Sequence, residues 1–196
     1  IKGLNETEQV TFILKKYITE NNNDFFKTGI KIISNSKSNY DYEKSFFYAQ
    51  KGFTFYDIEI DSVNYYLNKV DLNSEPKDKI DLELLFNRAK GLSEMFNLNY
   101  PTAIQFFHKN IELSKNHGSL KQLQQSYADA ALPHYYSDNL NDAITYWTKS
   151  LHLSEMEKDY NTAYGTSLNI ALSYAQQQMV DSAKSYKQRC LEIGNY

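Results

Sequence analysis

Side chains that could perform catalysis or bind a metal are few in this sequence, and they do not cluster along it. The four histidines lie far apart, at His108, His117, His134 and His152. No zinc-binding HExxH, phosphate-binding GxxxxGK[ST], dinucleotide-binding GxGxxG or hydrolase GxSxG motif is present. We therefore predict that the chain is not an enzyme, has no catalytic residue, and holds neither a metal nor a cofactor.

The only cysteine and the acidic pairs give no stronger indication of chemistry. Cys190 has no second cysteine to pair with, so no disulfide can form within the chain. It lies on the apolar side of its predicted helix, where we expect a buried and unreactive thiol. Glu155 and Glu157 lie at the end of a predicted helix, which is typical of a solvated surface rather than of acid-base catalysis.

Composition limits the classes of partner. The formal net charge is -3, with both signs interspersed, so the chain lacks the basic stripe that neutralises phosphates and we expect no direct binding of nucleic acid. No apolar stretch approaches the roughly eighteen residues needed to span a bilayer, so we expect no membrane contact. We expect a cytoplasmic protein, the alternative being the periplasmic sensor domain of a membrane-anchored regulator. The first residue is Ile1, and we expect the chain to be a fragment of a longer protein.

One pattern occurs three times at a spacing of forty residues. The copies are 99–113, 139–153 and 179–193. A small residue stands in register at Ala103, Ala143 and Ala183, and an aromatic residue follows at Phe106, Tyr146 and Tyr186. A repeat of this length is typical of helical arrays, in which each unit buries its apolar face against its neighbours.

The remaining sequence extends this array. A weaker fourth copy begins at Asp61 and continues to Leu72, and Pro76 suits the first turn of the helix that follows. Apolar residues at three- and four-residue steps predict helices throughout. We predict an all-α fold and a single domain over residues 1–196. Its five antiparallel helix pairs are expected at about 5–36, 40–73, 77–116, 119–157 and 160–194.

The repeat resembles the tetratricopeptide repeat (TPR). In that family the first helix of each pair carries a small residue where its partner crosses, as here at Gly91, Ala131 and Ala171. The resemblance implies an α-α superhelix, a TPR-like solenoid. The spacing of forty exceeds the family's roughly thirty-four, and Lys115 and Glu155 replace the usual proline after the second helix. These departures resemble the long-helix subclass found in bacterial TPR-containing sensor and regulatory proteins and in kinesin light chains.

The resemblance also implies where binding occurs. In TPR arrays the first helix of each pair lines the concave face, and a ladder of amides and charges there can hold an extended peptide while aromatic rings contact its side chains. Matched by register, the candidate peptide- or protein-binding residues are Gln50, Tyr56, Arg88, Phe96, Gln125, Asp129, Tyr136, Asn169 and Gln176.

The expected function is recognition of a protein or peptide. We expect the sensor or regulatory interaction domain of a larger bacterial signalling or transcription-regulating protein. The alternative is a structural scaffold that oligomerises and has no separate ligand. The C-terminal face around Val180, Tyr186 and Leu191 lacks a capping helix in this sequence, so we expect it to be covered by a continuing chain or by self-association.

Overall fold

The computed structural model describes residues 3–76 and 79–194. Within those ranges the chain forms ten α-helices, a short 3-10 turn at Leu72–Ser74, and no strand. The helices are α1 Glu6–Glu20, α2 Asn23–Asn35, α3 Asp41–Phe53, α4 Ile60–Leu67, α5 Asp81–Phe96, α6 Tyr100–His117, α7 Leu120–Tyr136, α8 Leu140–Met156, α9 Tyr160–Gln176 and α10 Val180–Ile193. The predicted all-α fold class is confirmed. None of the helices in these ranges has the length and apolar character that a bilayer crossing requires.

The chain divides into two compact units, with the boundary between Asn97 and Leu98. The N-terminal unit contains α1–α5 and the C-terminal unit contains α6–α10. Of the helix pair expected at 77–116, one helix therefore belongs to each unit. The first two residues of that range, Lys77 and Asp78, lie outside the described residues. The single-domain boundary of 1–196 stays a prediction.

The core of the N-terminal unit is aromatic. Tyr17 of α1 and Phe47 of α3 are fully buried, and their rings stack with centroids 5.9 Å apart. Phe26 of α2 meets the Phe47 ring edge-on at 6.4 Å. Gly29 of α2 is buried beneath the Phe47 ring and leaves space for it, because any Cβ there would overlap the ring. The small residue thus lets α2 approach α3 closely.

The fourth repeat copy is shorter than its sequence predicts. The helix α4 ends at Leu67 rather than near Leu72. The next helix begins at Asp81, so the prediction that Pro76 lies in its first turn is wrong. The reason is a side-chain cap: the Glu75 carboxylate accepts hydrogen bonds from the backbone N–H groups of residues 82 and 83, at 2.7 Å and 3.1 Å. These donors have no intrahelical partner at a helix start, so the cap defines where α5 begins.

The C-terminal unit is the more regular one. Its helices α6–α9 have 17 or 18 residues each. Its core contains Ala131, Ala143 and Ile170, all fully buried, together with Trp147, which is 3 % exposed. The in-register alanines of the repeat thus lie where helices approach each other, as the sequence indicates.

Three turns of the C-terminal unit close in the same way. A residue with left-handed backbone follows the helix in each: Asp138, Lys158 and Gln178, with φ of 63°, 57° and 61°. The next residue then donates its N–H back to the helix: Asn139 to His134 O, Asp159 to Ser154 O and Met179 to Tyr174 O, at 2.8–2.9 Å. This is the Schellman closure, which satisfies carbonyls that a helix end leaves unpaired. Glycine is the usual residue at this position, and here none of the three is glycine.

Candidate peptide-binding surfaces

The nine predicted binding residues fall on four helices and one turn. In the N-terminal unit, Gln50 lies on α3, Tyr56 in the turn after it, and Arg88 and Phe96 on α5. In the C-terminal unit, the other five lie on the helices α7 and α9: Gln125, Asp129, Tyr136, Asn169 and Gln176. All nine lie on the first helix of a predicted pair or in the turn that follows it.

The structure brings three of the four N-terminal candidates into one cluster. The Tyr56 and Phe96 rings lie 5.5 Å apart, and the Phe53 ring lies 5.3 Å from Tyr56. The Arg88 guanidinium lies over the Phe53 ring, 5.1 Å from its centroid, in cation-π geometry. Phe96 remains 52 % exposed, so one side of this cluster faces solvent. Gln50 is half-buried on α3, one turn before Phe53.

Small residues in the helices position this cluster. Ala49 of α3 and Ala89 of α5 are both fully buried and pack in a core cluster with Leu82. Because alanine allows two helix axes to approach, α3 and α5 pack together and Phe53 comes within reach of Arg88. The contact of Phe53 with Arg88 was not apparent in the sequence.

In the C-terminal unit, a buried carboxylate orients an exposed amide. Asp129 is only 4 % exposed, and its Oδ1 accepts a hydrogen bond of 2.9 Å from Gln125 Nε2. Gln125, one turn earlier on α7, is exposed. This hydrogen bond holds the Gln125 amide in one orientation relative to α7. Within this pair, Gln125 is the exposed residue.

The other C-terminal candidates lie towards the ends of α7 and α9. Tyr136 is 58 % exposed, and its ring meets that of Tyr135 edge-on at 5.5 Å. Gln176 Nε2 donates to Asp138 Oδ1 at 3.2 Å, which ties the end of α9 to the turn after α7. Asn169 is half-buried, and its backbone carbonyl accepts a hydrogen bond from the Ser173 hydroxyl. Gln176 and Tyr136 therefore flank the same turn.

A histidine-tyrosine cluster was not apparent in the sequence. His108 Nε2 and the Tyr146 hydroxyl lie 2.8 Å apart, and the His134 ring stacks on Tyr146 with centroids 5.4 Å apart. Burial lowers the pKa of His134, although Asp142, 3.8 Å from its Nδ1, acts in the opposite direction. Burial likewise raises the pKa of Tyr146. A buried, neutral histidine suits a packing role. The only signal in the sequence for this cluster was the separation of 38 residues between His108 and Tyr146, which is close to one repeat.

The cysteine and the acidic residues were the remaining candidates for chemistry in the sequence. Cys190 is buried, and burial raises the pKa of its thiol, which favours the unreactive protonated form. Over residues 3–76 and 79–194, no group of three or more His, Cys, Asp or Glu side chains could hold a metal ion.

A solved structure with the same arrangement of helices supports the fold. It is a Signal Transduction ATPase with Numerous Domains (STAND) protein with a tetratricopeptide repeat sensor, from Pyrococcus horikoshii, and it superposes with a TM-score of 0.69. The chain has a TPR-like helical-repeat fold. The identity is 17 %, and the match covers 99 % of this chain but 31 % of the archaeal one. No family model matches the sequence, and no curated protein matches it either.

Proposed function

We propose that this TPR-like chain is a protein- or peptide-binding module. The observation that carries the proposal is the pair of oriented amides in the C-terminal unit. Gln125 and Gln176 each donate one N–H to a carboxylate of their own unit, Asp129 and Asp138 respectively. Each amide has a second N–H and a carbonyl oxygen that can bond an extended peptide backbone.

Exposed aromatic rings also support peptide binding. Tyr136 in the C-terminal unit and Phe96 in the N-terminal unit are large, rigid and more than half exposed. Aromatic residues are enriched where proteins bind partners, because they bury a large area at a low cost in side-chain entropy. Orienting the amides before a ligand arrives further reduces the entropy lost on binding. Amides for the backbone and rings for side chains together suit a peptide ligand.

We further propose that the module is the sensor or regulatory part of a larger bacterial signalling or transcription-regulating protein. The support is the similarity in fold to the STAND protein from Pyrococcus horikoshii, which has a tetratricopeptide repeat sensor. Helices of 17 or 18 residues and the forty-residue spacing support the long-helix subclass.

The test is selection of peptides followed by measurement on variants. A phage-displayed library of random peptides is panned on the chain, and the affinity of a selected peptide is measured by fluorescence anisotropy. We expect Gln125→Ala and Tyr136→Ala each to weaken binding roughly tenfold, a typical cost of truncating a contact near the centre of an interface. Arg88→Ala and Asn169→Ala each remove one predicted binding side chain, the first from the N-terminal unit and the second from the C-terminal unit, and each should weaken peptides that bind its own unit.

Controls separate loss of binding from loss of fold. Asn161→Ala removes the same amide as Asn169→Ala from an exposed position of α9, outside the predicted set, and should leave the affinity unchanged. Circular dichroism should show equal helicity for every variant. Selected peptides whose affinity does not depend on Gln125, Tyr136, Arg88 or Asn169 would reject the proposed surface. Failure to select any peptide, together with a mass that rises with concentration, would favour the scaffold alternative.

A further inference from the structure

An apolar groove lies between α9 and α10, with a cavity volume of about 380 Å³. Its lining includes Leu168, Leu172 and Ala175 of α9, and Val180, Lys184 and Lys187 of α10. None of the nine predicted binding residues belongs to it. Leu168, Leu172 and Val180 are 40 %, 49 % and 55 % exposed, and contiguous apolar surface of this kind marks interaction sites.

The equivalent groove one repeat earlier is occupied by a helix. Forty residues earlier, the equivalent positions on α7 and α8 are Ala128, Leu132, Tyr135, Leu140, Ile144 and Trp147. There the groove is filled, because a further helix, α9, packs against it: Trp147 and Ile144 share a core cluster with Ala163 and Ile170 of α9. As a result Leu140 is 7 % exposed, whereas its equivalent Val180 is 55 % exposed. The shape that fits this groove is therefore that of an α-helix.

Charge distinguishes the open groove from the filled one. Ile144 and Trp147, apolar and covered by α9, are replaced at the equivalent positions by Lys184 and Lys187, which are both exposed. Over the described ranges, neither lysine forms an ion pair with another residue. A helix that seats here therefore meets two ammonium groups beside an apolar floor, and acidic side chains on its flank would complement them.

The same charges disfavour a second copy of the chain as the occupant. In a twofold dimer the same patch lies on both sides of the interface. With α10 antiparallel to its copy, Lys184 and Lys187 would face the same two lysines of the partner. Like charges at an interface oppose association.

We propose that the α9/α10 groove binds one amphipathic α-helix of a partner protein, with a small or aliphatic apolar stripe flanked by Asp or Glu residues. The apolar stripe covers Leu168, Leu172 and Val180, and the acidic flank pairs with Lys184 and Lys187. This site is separate from the amide and aromatic surfaces proposed above, so either proposal can fail without the other.

The experiment uses the 196-residue chain and two stapled helical peptides. Both have the length of α9, 17 residues, and the same Ala/Leu stripe, but one is flanked by glutamates and the other by lysines. Stapling is needed because an isolated helix of this length is marginal in water. We expect the glutamate peptide to bind roughly tenfold more tightly by fluorescence anisotropy, the combined effect of two partly exposed ion pairs.

Variants of the chain test the two parts of the site separately. Lys184→Glu with Lys187→Glu should reverse the preference between the peptides. The control Lys109→Glu with Lys149→Glu makes the same change in net charge on α6 and α8, and should not alter it. Val180→Asp places a carboxylate in the apolar lining of the groove and should lower the affinity for both peptides roughly tenfold or more. Its position is exposed, so helicity should be unchanged.

Three results would overturn the proposal. The first is equal binding of both peptides, or a preference that Lys184→Glu with Lys187→Glu leaves unchanged. The second is no binding of either peptide while the chain is monomeric by analytical ultracentrifugation. The third is a concentration-dependent dimer that Val180→Asp converts to monomer, which would identify a second copy as the occupant.

Discussion

Replacing Gly29 by alanine should destabilise the chain, although alanine is the better helix former. In an open helix interior this replacement stabilises by about 1 kcal/mol. At Gly29, however, the new Cβ would lie 2.8 Å from two ring carbons of Phe47 and closer still to a third. Carbon atoms in contact prefer about 3.5–4.0 Å, so the ring must move by roughly 1 Å.

The structure leaves that ring little room. Phe47 is fully buried, with Tyr17 stacked on it at 5.9 Å and Phe26 edge-on at 6.4 Å. Overpacking a well-filled core costs about 1–3 kcal/mol, and a shift that displaces three aromatic rings belongs at the upper end. Subtracting the gain in helix propensity leaves a net loss of about 1–2 kcal/mol in the free energy of unfolding.

The assay is urea unfolding followed by far-UV circular dichroism. The matched control is Gly165→Ala, in the interior of α9, where the new Cβ meets no atom within 4 Å. It should raise the stability by about 1 kcal/mol. Phe47→Leu should cost less stability in the Gly29→Ala chain than in the wild type, because the smaller side chain relieves the overlap with the new Cβ and the two changes are coupled. A Gly29→Ala chain as stable as the wild type would refute the reasoning.

Three further predictions follow from the structure. Gln178→Gly should stabilise by about 0.5–1 kcal/mol in the same assay, because Gln178 has a left-handed backbone that glycine adopts without strain. Burial lowers the pKa of His134 below its ordinary value of 6.5. The stability that neutral His134 contributes is therefore complete above pH 6.5, and the free energy of unfolding falls as the pH drops below 6.5, by at most about 1.4 kcal/mol per pH unit. His134→Gln should reduce this slope in urea midpoints measured from pH 7.5 to 5.5. The Cys190 thiol should react with a thiol-specific disulfide reagent on the order of a hundredfold more slowly in the folded chain than in urea, and equal rates would contradict its burial.

The helices were predictable because their signals are local. The Asn5 side chain accepts a hydrogen bond from Glu8 N–H and the Glu8 carboxylate accepts one from Asn5 N–H, which is the capping box that begins α1. Apolar residues at three- and four-residue steps form one face of a helix in any context. The forty-residue register of Ala103 and Ala143 likewise indicated where helices cross, and both are fully buried.

The candidate surfaces were predictable only as positions on helices. The register that selected Gln125 and Asp129 for one face could not show that Asp129 is buried and orients Gln125. Nor could it show that Tyr56 and Phe96, forty residues apart, lie in contact, since that depends on how closely α3 and α5 pack.

The sequence by itself determined the all-α repeat, the order of its helices and the spacing of its small residues, because each depends on residues near one another or on a fixed period. Tertiary structure alone decided the late start of α5 under the Glu75 cap, the contact of His108 with Tyr146, and the lining of the groove beside Val180, a face for which the repeat indicated only that no capping helix follows. Those features depend on which side chains from distant segments meet and which surface a neighbouring helix covers. Val180 and Leu140 occupy the same position of the repeat, and only the packing of α9 makes one exposed and the other buried.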